Sequence, residues 1–136
     1  MAEVVGLAEL LKRIARVQAN INNPGKPLKD SADHQLDSLD KNFDVGGRPR
    51  WQPLGANTLR RKKGSILDES GDMRGANKPE MEGSGWSIIN TDWKAPFHLT
   101  GTEVDGEEHI PARNWLVYQP EDVTTIGSLF MDHIFS

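Results

Sequence analysis

The sequence predicts an α+β fold: a small antiparallel sheet with an N-terminal helical pair and a C-terminal helix. Apolar residues recur at steps of three and four near both ends of the chain, which is typical of amphipathic helices. Between them, residues 86–90 (WSIIN) have the composition of a short strand, and 13 Gly and 8 Pro residues indicate many turns. The 136 residues suit a single domain over 1–136, with N-terminal helices (1–45), a basic Trp-containing loop (46–64) and a sheet plus C-terminal helix (65–136).

The first two helices follow from the spacing of their apolar residues. One apolar stripe runs over residues 4–21, with Val4 as its first member, and ends in the turn-forming Asn, Pro and Gly residues at 20–25. A second helix is expected to begin with Asp30 or Ser31 as its N-cap. Its apolar positions are Leu36, Leu39 and Phe43.

The second half of the chain holds the predicted sheet. A short helical piece is expected near residues 66–76, then an exposed connection over 77–85 that leads into the strand at 86–90. Residues 93–99 (WKAPFHL) are interpreted as a second strand, and 100–110 as a polar hairpin loop. A terminal helix follows Pro120, because acids occupy the next two positions, where the helix dipole favours negative charge.

Charge is distributed unevenly along the chain. Residues 1–68 contain 12 Lys/Arg and 8 Asp/Glu, whereas 69–136 contain 4 and 12, so the net charges are +4 and −8. Opposite charges of this kind favour ordered contacts between copies, although an ordinary charged surface explains them equally well. The absence of cysteine excludes disulfides and thiol chemistry, and no signal peptide or membrane span is expected.

One basic cluster interrupts this pattern, in the loop that carries Trp51. Two interpretations are open: the cations bind nucleic-acid phosphates while Trp51 stacks on a base, or Trp51 anchors a core or interface beside a basic face. The sequence pI of about 5.5 favours the second. A short helix is expected with Asn57 as its cap. The cluster comprises Arg48, Arg50, Arg60, Arg61, Lys62 and Lys63.

Sequence patterns of catalysis are weak in this chain. It lacks a Gly-x-Ser-x-Gly elbow and a phosphate-binding loop, and its four histidines lie far apart. Only His98 and His109 could meet across a hairpin, which leaves a cryptic metal-dependent hydrolase as a third and remote hypothesis. We therefore expect a protein that is not an enzyme and that needs no cofactor or metal.

Three motifs in order resemble a known family. The first contains Gly47, Trp51, Pro53, Leu54, Thr58 and the basic run to Lys63. The second contains Ile66, Leu67, Ser70 and Gly71. The third contains His98, Gly101, Ile110, Pro111, Ala112 and Arg113, ahead of the C-terminal helix. The chain is similar in these motifs to the phage virion-morphogenesis family, small tail-completion proteins of tailed bacteriophages and prophages.

The resemblance implies a structural protein of the virion, assembled in the cytoplasm of the bacterial host. It would complete the tail or the head–tail junction as a homo-oligomeric ring and contact other tail or neck proteins through the 46–64 loop and the 100–110 hairpin, without a membrane. The alternative is a neck or adaptor protein whose basic loop touches DNA. The candidate interface residues are Trp51, Arg60, Arg61, Lys62, Lys63, His98, Ile110, Pro111, Ala112 and Arg113.

The tetrapeptide from Ile110 to Arg113 is the most specific motif of the three. Pro111 is expected to fix the start of a strand, and Arg113 to supply a fixed ion pair. Two roles stay open: the tetrapeptide shapes a subunit contact, or it packs a strand against the terminal helix.

Overall fold

A computed structural model describes residues 5–61, 64 and 66–136. Val4, Lys62 and Lys63, which the sequence analysis assigned to the first helix and to the basic cluster, lie outside the described residues. The elements, in chain order, are α1 (Leu7–Asn22), α2 (Gly25–Val45), α3 (Ala56–Arg61), a 3-10 turn (Arg74–Ala76), β1 (Asn77–Glu82), β2 (Gly85–Asn90), α4 (Ala95–Thr100), β3 (Thr102–Val104), β4 (Glu107–Ile110) and α5 (Pro120–Ile134). The α+β fold is confirmed, with an N-terminal helical pair, antiparallel strands and a C-terminal helix.

The first two helices are joined by a very short connection. α1 ends at Asn22, as its Asn-rich end predicts, but α2 begins at Gly25, and the predicted N-cap at Asp30 or Ser31 is wrong. Pro27 is compatible with this earlier start, since it lies in the first turn of α2, where a backbone N–H would have no intrahelical acceptor. The backbone N–H of Leu28 donates to the Pro24 carbonyl at 3.0 Å and closes this turn.

The strands form two separate hairpins. β1 pairs antiparallel with β2, so residues 77–82 are a strand and not the exposed connection that was predicted. Pro79 is compatible with β1 because β2 is its only partner strand in the described structure. β3 and β4 form the hairpin expected over 100–110, with a two-residue turn at Asp105 (φ 53°) and Gly106 (φ 81°).

The predicted strand over 93–99 is instead the helix α4. Asp92 precedes the helix, and its Oδ1 accepts a hydrogen bond from the Lys94 backbone N–H at 2.8 Å. Pro96 lies in the first turn, where it fits a helix as well as it fits an edge strand. The prediction therefore failed because the apolar pattern of so short a segment suits both structures.

The core lies between α2, the loop after it and the segment that precedes α5. The rings of Phe43 and Trp51 meet edge to face with centroids 5.7 Å apart, and those of Phe43 and Trp115 lie 5.6 Å apart. Arg74 covers the Phe43 ring at 5.5 Å and forms ion pairs with Asp40, Asp44 and Asp68. The buried members of the core are Phe43, Trp51, Leu67, Met73, Ala95 and Trp115.

The C-terminal helix begins where the sequence predicted and is joined to α2 by a buried carboxylate. Asp122 accepts hydrogen bonds from the Gln119 backbone N–H at 2.9 Å and from the Ser38 hydroxyl at 2.7 Å, and it lies 3.0 Å from Nε2 of His34. Burial alone would raise the pKa of Asp122, but these hydrogen bonds outweigh it and hold that pKa below its ordinary value. No helix formed by the described residues is long and apolar enough to cross a lipid bilayer.

Candidate functional site

Residues of all three sequence motifs meet at one open cleft of about 660 Å³. Its walls are the loop after α2, the turn that contains Leu67, one face of α4 and the end of β4 with the residues that follow. Residues as far apart in sequence as Gln52 and Arg113 are thus brought together. The motif residues that line the cleft are Pro53, Leu54, Thr58, Leu67, Ser70, Gly71, His98, Ile110, Pro111 and Arg113.

Arg113 is buried behind the cleft and connects three of these walls by hydrogen bonds. It is 6% exposed, and its Nε donates to the Gln52 carbonyl at 2.9 Å while its Nη2 donates to the Pro53 carbonyl at 3.3 Å. Its backbone N–H donates to the His98 carbonyl at 2.7 Å. Burial lowers the pKa of the guanidinium, and the charge of Glu108 opposes that shift.

This geometry corrects the expectation for the tetrapeptide. Arg113 forms no ion pair within the described part of the chain, and its hydrogen bonds join the segment to the Trp51 loop rather than to α5. Pro111 does not begin a strand, because residues 111–119 are irregular between β4 and α5. Ala112 is exposed, while Ile110 and Pro111 are half-buried against the cleft.

The glycines of two motifs are explained by close backbone approaches. A Cβ on Gly101 would lie 2.7 Å from the Ile110 carbonyl oxygen and 2.9 Å from the Ala112 nitrogen, and its φ is +75°. A Cβ on Gly47 would lie 2.5 Å from Cδ1 of Trp51, at a φ of +100°. Any larger residue would therefore displace the Trp51 ring or the base of the hairpin.

Trp51 belongs to the core of the chain, which is one of the two anchoring roles predicted for it. It is 6% exposed, and its indole N–H donates to the Asn114 carbonyl at 3.3 Å. A ring held in this way is inaccessible for stacking on a base. The sequence could not separate the two roles, since an aromatic residue beside prolines in a basic loop suits both.

The basic cluster is divided by the fold. Arg48 turns inward, where its Nε donates to Oδ1 of Asn42 at 2.8 Å and its Nη2 to the Ser38 hydroxyl at 3.0 Å. Arg60 and Arg61 are exposed at the end of α3, which begins at Ala56 and not with Asn57 as its cap. Of the described members of the cluster, Arg48 is therefore directed into the fold, whereas Arg50, Arg60 and Arg61 are exposed.

The two histidines of the metal hypothesis line the same cleft. His98 comes from α4 and His109 from β4, so the hairpin brings them to one side as predicted. However, in residues 5–61, 64 and 66–136 there is no group of three or more His, Cys, Asp or Glu side chains arranged to hold a metal ion.

Comparisons with protein-family models, with curated proteins and with solved structures found no match. The resemblance to the phage virion-morphogenesis family therefore stays a prediction that rests on the three motifs and their order.

A second surface feature, which the sequence analysis missed, is the uncovered face of α1. The helix has the predicted apolar stripe, but none of its residues is buried. α1 is fixed near its end: the Asn20 side-chain amide donates to the Ile134 carbonyl at 3.1 Å, and Nε2 of His133 lies 2.8 Å from the Asn23 carbonyl. The exposed stripe contains Leu7 (57%), Leu10 (54%), Leu11 (57%), Ile14 (51%) and Ile21 (54%).

An open groove of about 420 Å³ continues this stripe. It lies between the second half of α1 and Phe135, which is itself 65% exposed at the end of α5. Ile14, Val17 and Ile21 form its floor. A spacing pattern predicts which residues share one face of a helix, but it does not predict whether the same chain covers that face.

Proposed function

We propose that this protein is a structural component of a tailed-phage virion, which completes the tail or the head–tail junction as a homo-oligomeric ring. The three sequence motifs support the family, and the fold gives their residues a shared role, since they build one cleft. The observation that carries the proposal is the apolar face of α1, which the described chain leaves in water. A protein that acts by assembly needs such a face; an isolated monomer does not.

The size of the α1 stripe argues for a specific partner. Burial of one Leu or Ile side chain stabilises by about 1.5–3 kcal/mol, and the five side chains of the stripe are each 51–57% exposed. Covering them would therefore contribute on the order of 5 kcal/mol, before the entropic cost of association. Such a term is large enough to dominate a subunit contact, with polar and charged contacts setting its geometry.

Charge supports a contact between different surfaces of two copies. α1 carries Lys12, Arg13 and Arg16 against the single acid Glu9, so an acidic surface of a neighbouring copy complements its charge better than a second α1 helix does. The β3–β4 hairpin carries the complementary charge, on residues that are exposed. These are Glu103, Asp105, Glu107 and Glu108. A contact between unlike surfaces repeats around a ring, whereas a contact between like surfaces stops at a dimer.

Contact with DNA is the second candidate function, and one observation favours it. Arg60 and Arg61 are exposed at the end of a helix that lies beside the cleft. Changing both to Gln would then weaken binding to a DNA duplex and flatten its dependence on salt concentration. Binding that is absent, or that these changes leave intact, contradicts a role of this loop in DNA contact.

The proposed ring is tested by the mass of the purified protein, measured by light scattering over a range of protein and salt concentrations. We expect a discrete oligomer that weakens as salt rises, and closed rings in electron micrographs. Leu10→Gln with Leu11→Gln should shift the protein to monomer. Gln introduced on the flank of the same helix, by Ala8→Gln with Ala15→Gln, is the matched control and should leave the oligomer intact.

A wild-type protein that remains monomeric at every concentration contradicts the proposed homo-oligomer. Open filaments or dimers, in place of rings, contradict its closed symmetry. An oligomer that survives the two changes at Leu10 and Leu11 shows instead that α1 is not part of the contact.

A further inference from the structure

Three arginines turn their side chains into the fold, and they differ in whether an acid accompanies them. The guanidinium of Arg74 forms ion pairs with three aspartates. Nη1 of Arg48 lies 3.5 Å from Oε1 of Glu121. Arg113 is the most buried of the three, at 6% exposed, and it forms no ion pair within the described part of the chain.

The electrostatic consequence is opposite for Arg74 and Arg113. The pKa of Arg74 is raised, chiefly by its hydrogen bond with Asp40, whereas burial lowers the pKa of Arg113. Both guanidinium groups nevertheless stay charged at physiological pH. The charge of Glu108 acts on Arg113, but this carboxylate is exposed and too distant for an ion pair. Arg113 is therefore a buried cation without the anion that would offset its desolvation.

The hydrogen bonds of Arg113 leave part of its guanidinium unused. Nε and Nη2 donate to the carbonyls of Gln52 and Pro53, at 2.9 and 3.3 Å. Nη1 donates to none of the residues that the structure describes, and it is not one of their sealed polar atoms that lack a partner. Because Arg113 lines the cleft of about 660 Å³, an acceptor that enters this cleft can reach Nη1.

The other charges of the cleft restrict the kind of anion. Its lining contains two cations, Lys94 and Arg113, and two acids, Glu69 and Glu108, with the histidines counted as neutral. Lys94 already lies 3.7 Å from Oδ2 of Asp92. A phosphate chain or a nucleic-acid backbone would bring several negative charges beside the two acids, which repel it. A single negative charge placed at Arg113 avoids this repulsion.

The apolar part of the lining indicates what should carry that charge. Six aliphatic, proline and methionine side chains line the cleft: Pro53, Leu54, Leu67, Met73, Ile110 and Pro111. A ligand that suits both parts has one anionic group and an apolar body next to it.

We propose that the cleft binds a carboxylate carried by a short aliphatic body, and that Nη1 of Arg113 donates to this carboxylate. The guanidinium is already held by two backbone carbonyls, so it needs no rearrangement to accept the ligand. A free aliphatic monocarboxylate and a glutamate side chain of another protein present the same group. The proposal does not depend on the proposed ring, since a monomer would bind equally well.

The test is an NMR titration of the full chain, labelled with 15N, with sodium butyrate. The Nε–Hε signal of Arg113, assigned by its loss in Arg113→Lys, should shift with a dissociation constant on the order of 1 mM. The signals of Arg48 and Arg74, which already have acids, are internal controls and should not move. If the wild type associates at the concentration used, the variant with Leu10→Gln and Leu11→Gln replaces it, because both changes lie outside the cleft.

Three further probes separate the parts of the ligand. Butyramide has the shape of butyrate without its charge and should bind at least about 10-fold more weakly. Acetate lacks two methylenes and should bind at least about 4-fold more weakly, the effect of one buried methylene. Inorganic phosphate, which has no apolar body and carries more charge, should bind more weakly than butyrate.

A pair of matched variants locates the binding site. Glu108→Gln removes an acid from the cleft lining and should tighten butyrate binding about 2-fold to 5-fold, because a like charge is lost. Glu107→Gln changes the net charge equally at the neighbouring position of β4, which is exposed and does not line the cleft. It should leave the dissociation constant unchanged.

The source of the carboxylate is distinguished by comparing butyrate with glutamate blocked at both ends, as N-acetylglutamate N-methylamide. Tighter binding of the blocked glutamate indicates a carboxylate on a protein chain, and tighter binding of butyrate indicates a free small molecule. Butyrate that leaves the Arg113 signal unmoved at tens of millimolar overturns the proposal. Equal binding of butyramide, tighter binding of phosphate, or equal effects of Glu108→Gln and Glu107→Gln would each overturn it as well.

Discussion

The two N-terminal helices are similar in sequence pattern and opposite in environment. α2 buries nine of its 21 residues, whereas α1 buries none of its 16. Nevertheless α1 has the more regular apolar stripe, and four of the nine buried residues of α2 are polar. These are Ser31, Gln35, Ser38 and Asn42. A regular stripe therefore predicts a helix, but the tertiary contacts decide which helix forms the core.

The buried polar residues of α2 explain the difference. The Asn42 side chain donates to the Trp115 carbonyl at 2.8 Å and accepts from Arg48 at 2.8 Å, while Ser38 donates to Asp122 at 2.7 Å. These bonds attach the chain before and within α5 to α2, so polar positions that look like a solvent face become part of the interior. α1 has few such bonds and is attached mainly near its last turn.

The largest loss of stability is expected when the side chain of Phe43, the aromatic residue that α2 contributes to the core, is removed. Phe43→Ala should lower the free energy of unfolding by about 3–5 kcal/mol, because Phe43 is 1% exposed and contacts the rings of Trp51 and Trp115. Urea denaturation followed by tryptophan fluorescence measures the change. Phe135→Ala, at a site that is 65% exposed, should change it by less than about 0.5 kcal/mol. Equal losses at the two sites would show that the core lies elsewhere.

An intermediate effect is expected at the carboxylate that joins α2 to α5. Asp122→Asn should lower the free energy of unfolding by about 1–3 kcal/mol, because the charge-assisted bonds from Ser38 and the Gln119 backbone N–H are weakened. Asp132→Asn, at an exposed position of the same helix, should have almost no effect. The wild type and the same two variants are then compared in the pH dependence of their free energy of unfolding.

The pH dependence follows from the lowered pKa of Asp122 in the folded protein. A carboxyl group whose pKa is lower in the folded than in the unfolded state stabilises the fold above its unfolded pKa of about 4. That contribution is lost as the pH falls from about 4 through the lower folded pKa. The difference in stability between wild type and Asp122→Asn should therefore be constant near neutrality and shrink below about pH 4. A difference that grows with acidity would contradict this sign.

The sequence predicted the elements whose signals are local. α1, most of α2, β2, the hairpin over 100–110 and α5 are all confirmed. β1 was missed because its residues, NKPEME, are polar and include Pro79, so only its pairing with β2 makes it a strand. α4 was missed because Pro96 and a few apolar residues suit a strand and a first helical turn alike.

The candidate site was only partly predictable, because the roles of its residues depend on tertiary contacts. The motif residues were recognised as a group, and the fold does bring most of them to one cleft. Their individual roles depend on contacts over long sequence separation: Arg113 binds the carbonyls of residues 52 and 53, and Trp51 enters the core. The exposure of the apolar face of α1 leaves no trace in a sequence pattern, since it follows from what the rest of the described chain does not cover.

The smallest effect on stability is expected at the helix with the strongest apolar stripe. Leu10→Ala should change the unfolding free energy of the dilute monomer by less than about 0.5 kcal/mol, since Leu10 is 54% exposed and Ala favours a helix. The equivalent change in α2, Leu39→Ala at a site that is 2% exposed, should cost about 2–5 kcal/mol. Chemical denaturation at a protein concentration below the association range compares the two. A large loss from Leu10→Ala in the monomer would mean that the chain covers α1 in solution, and the apolar face would then no longer argue for a partner.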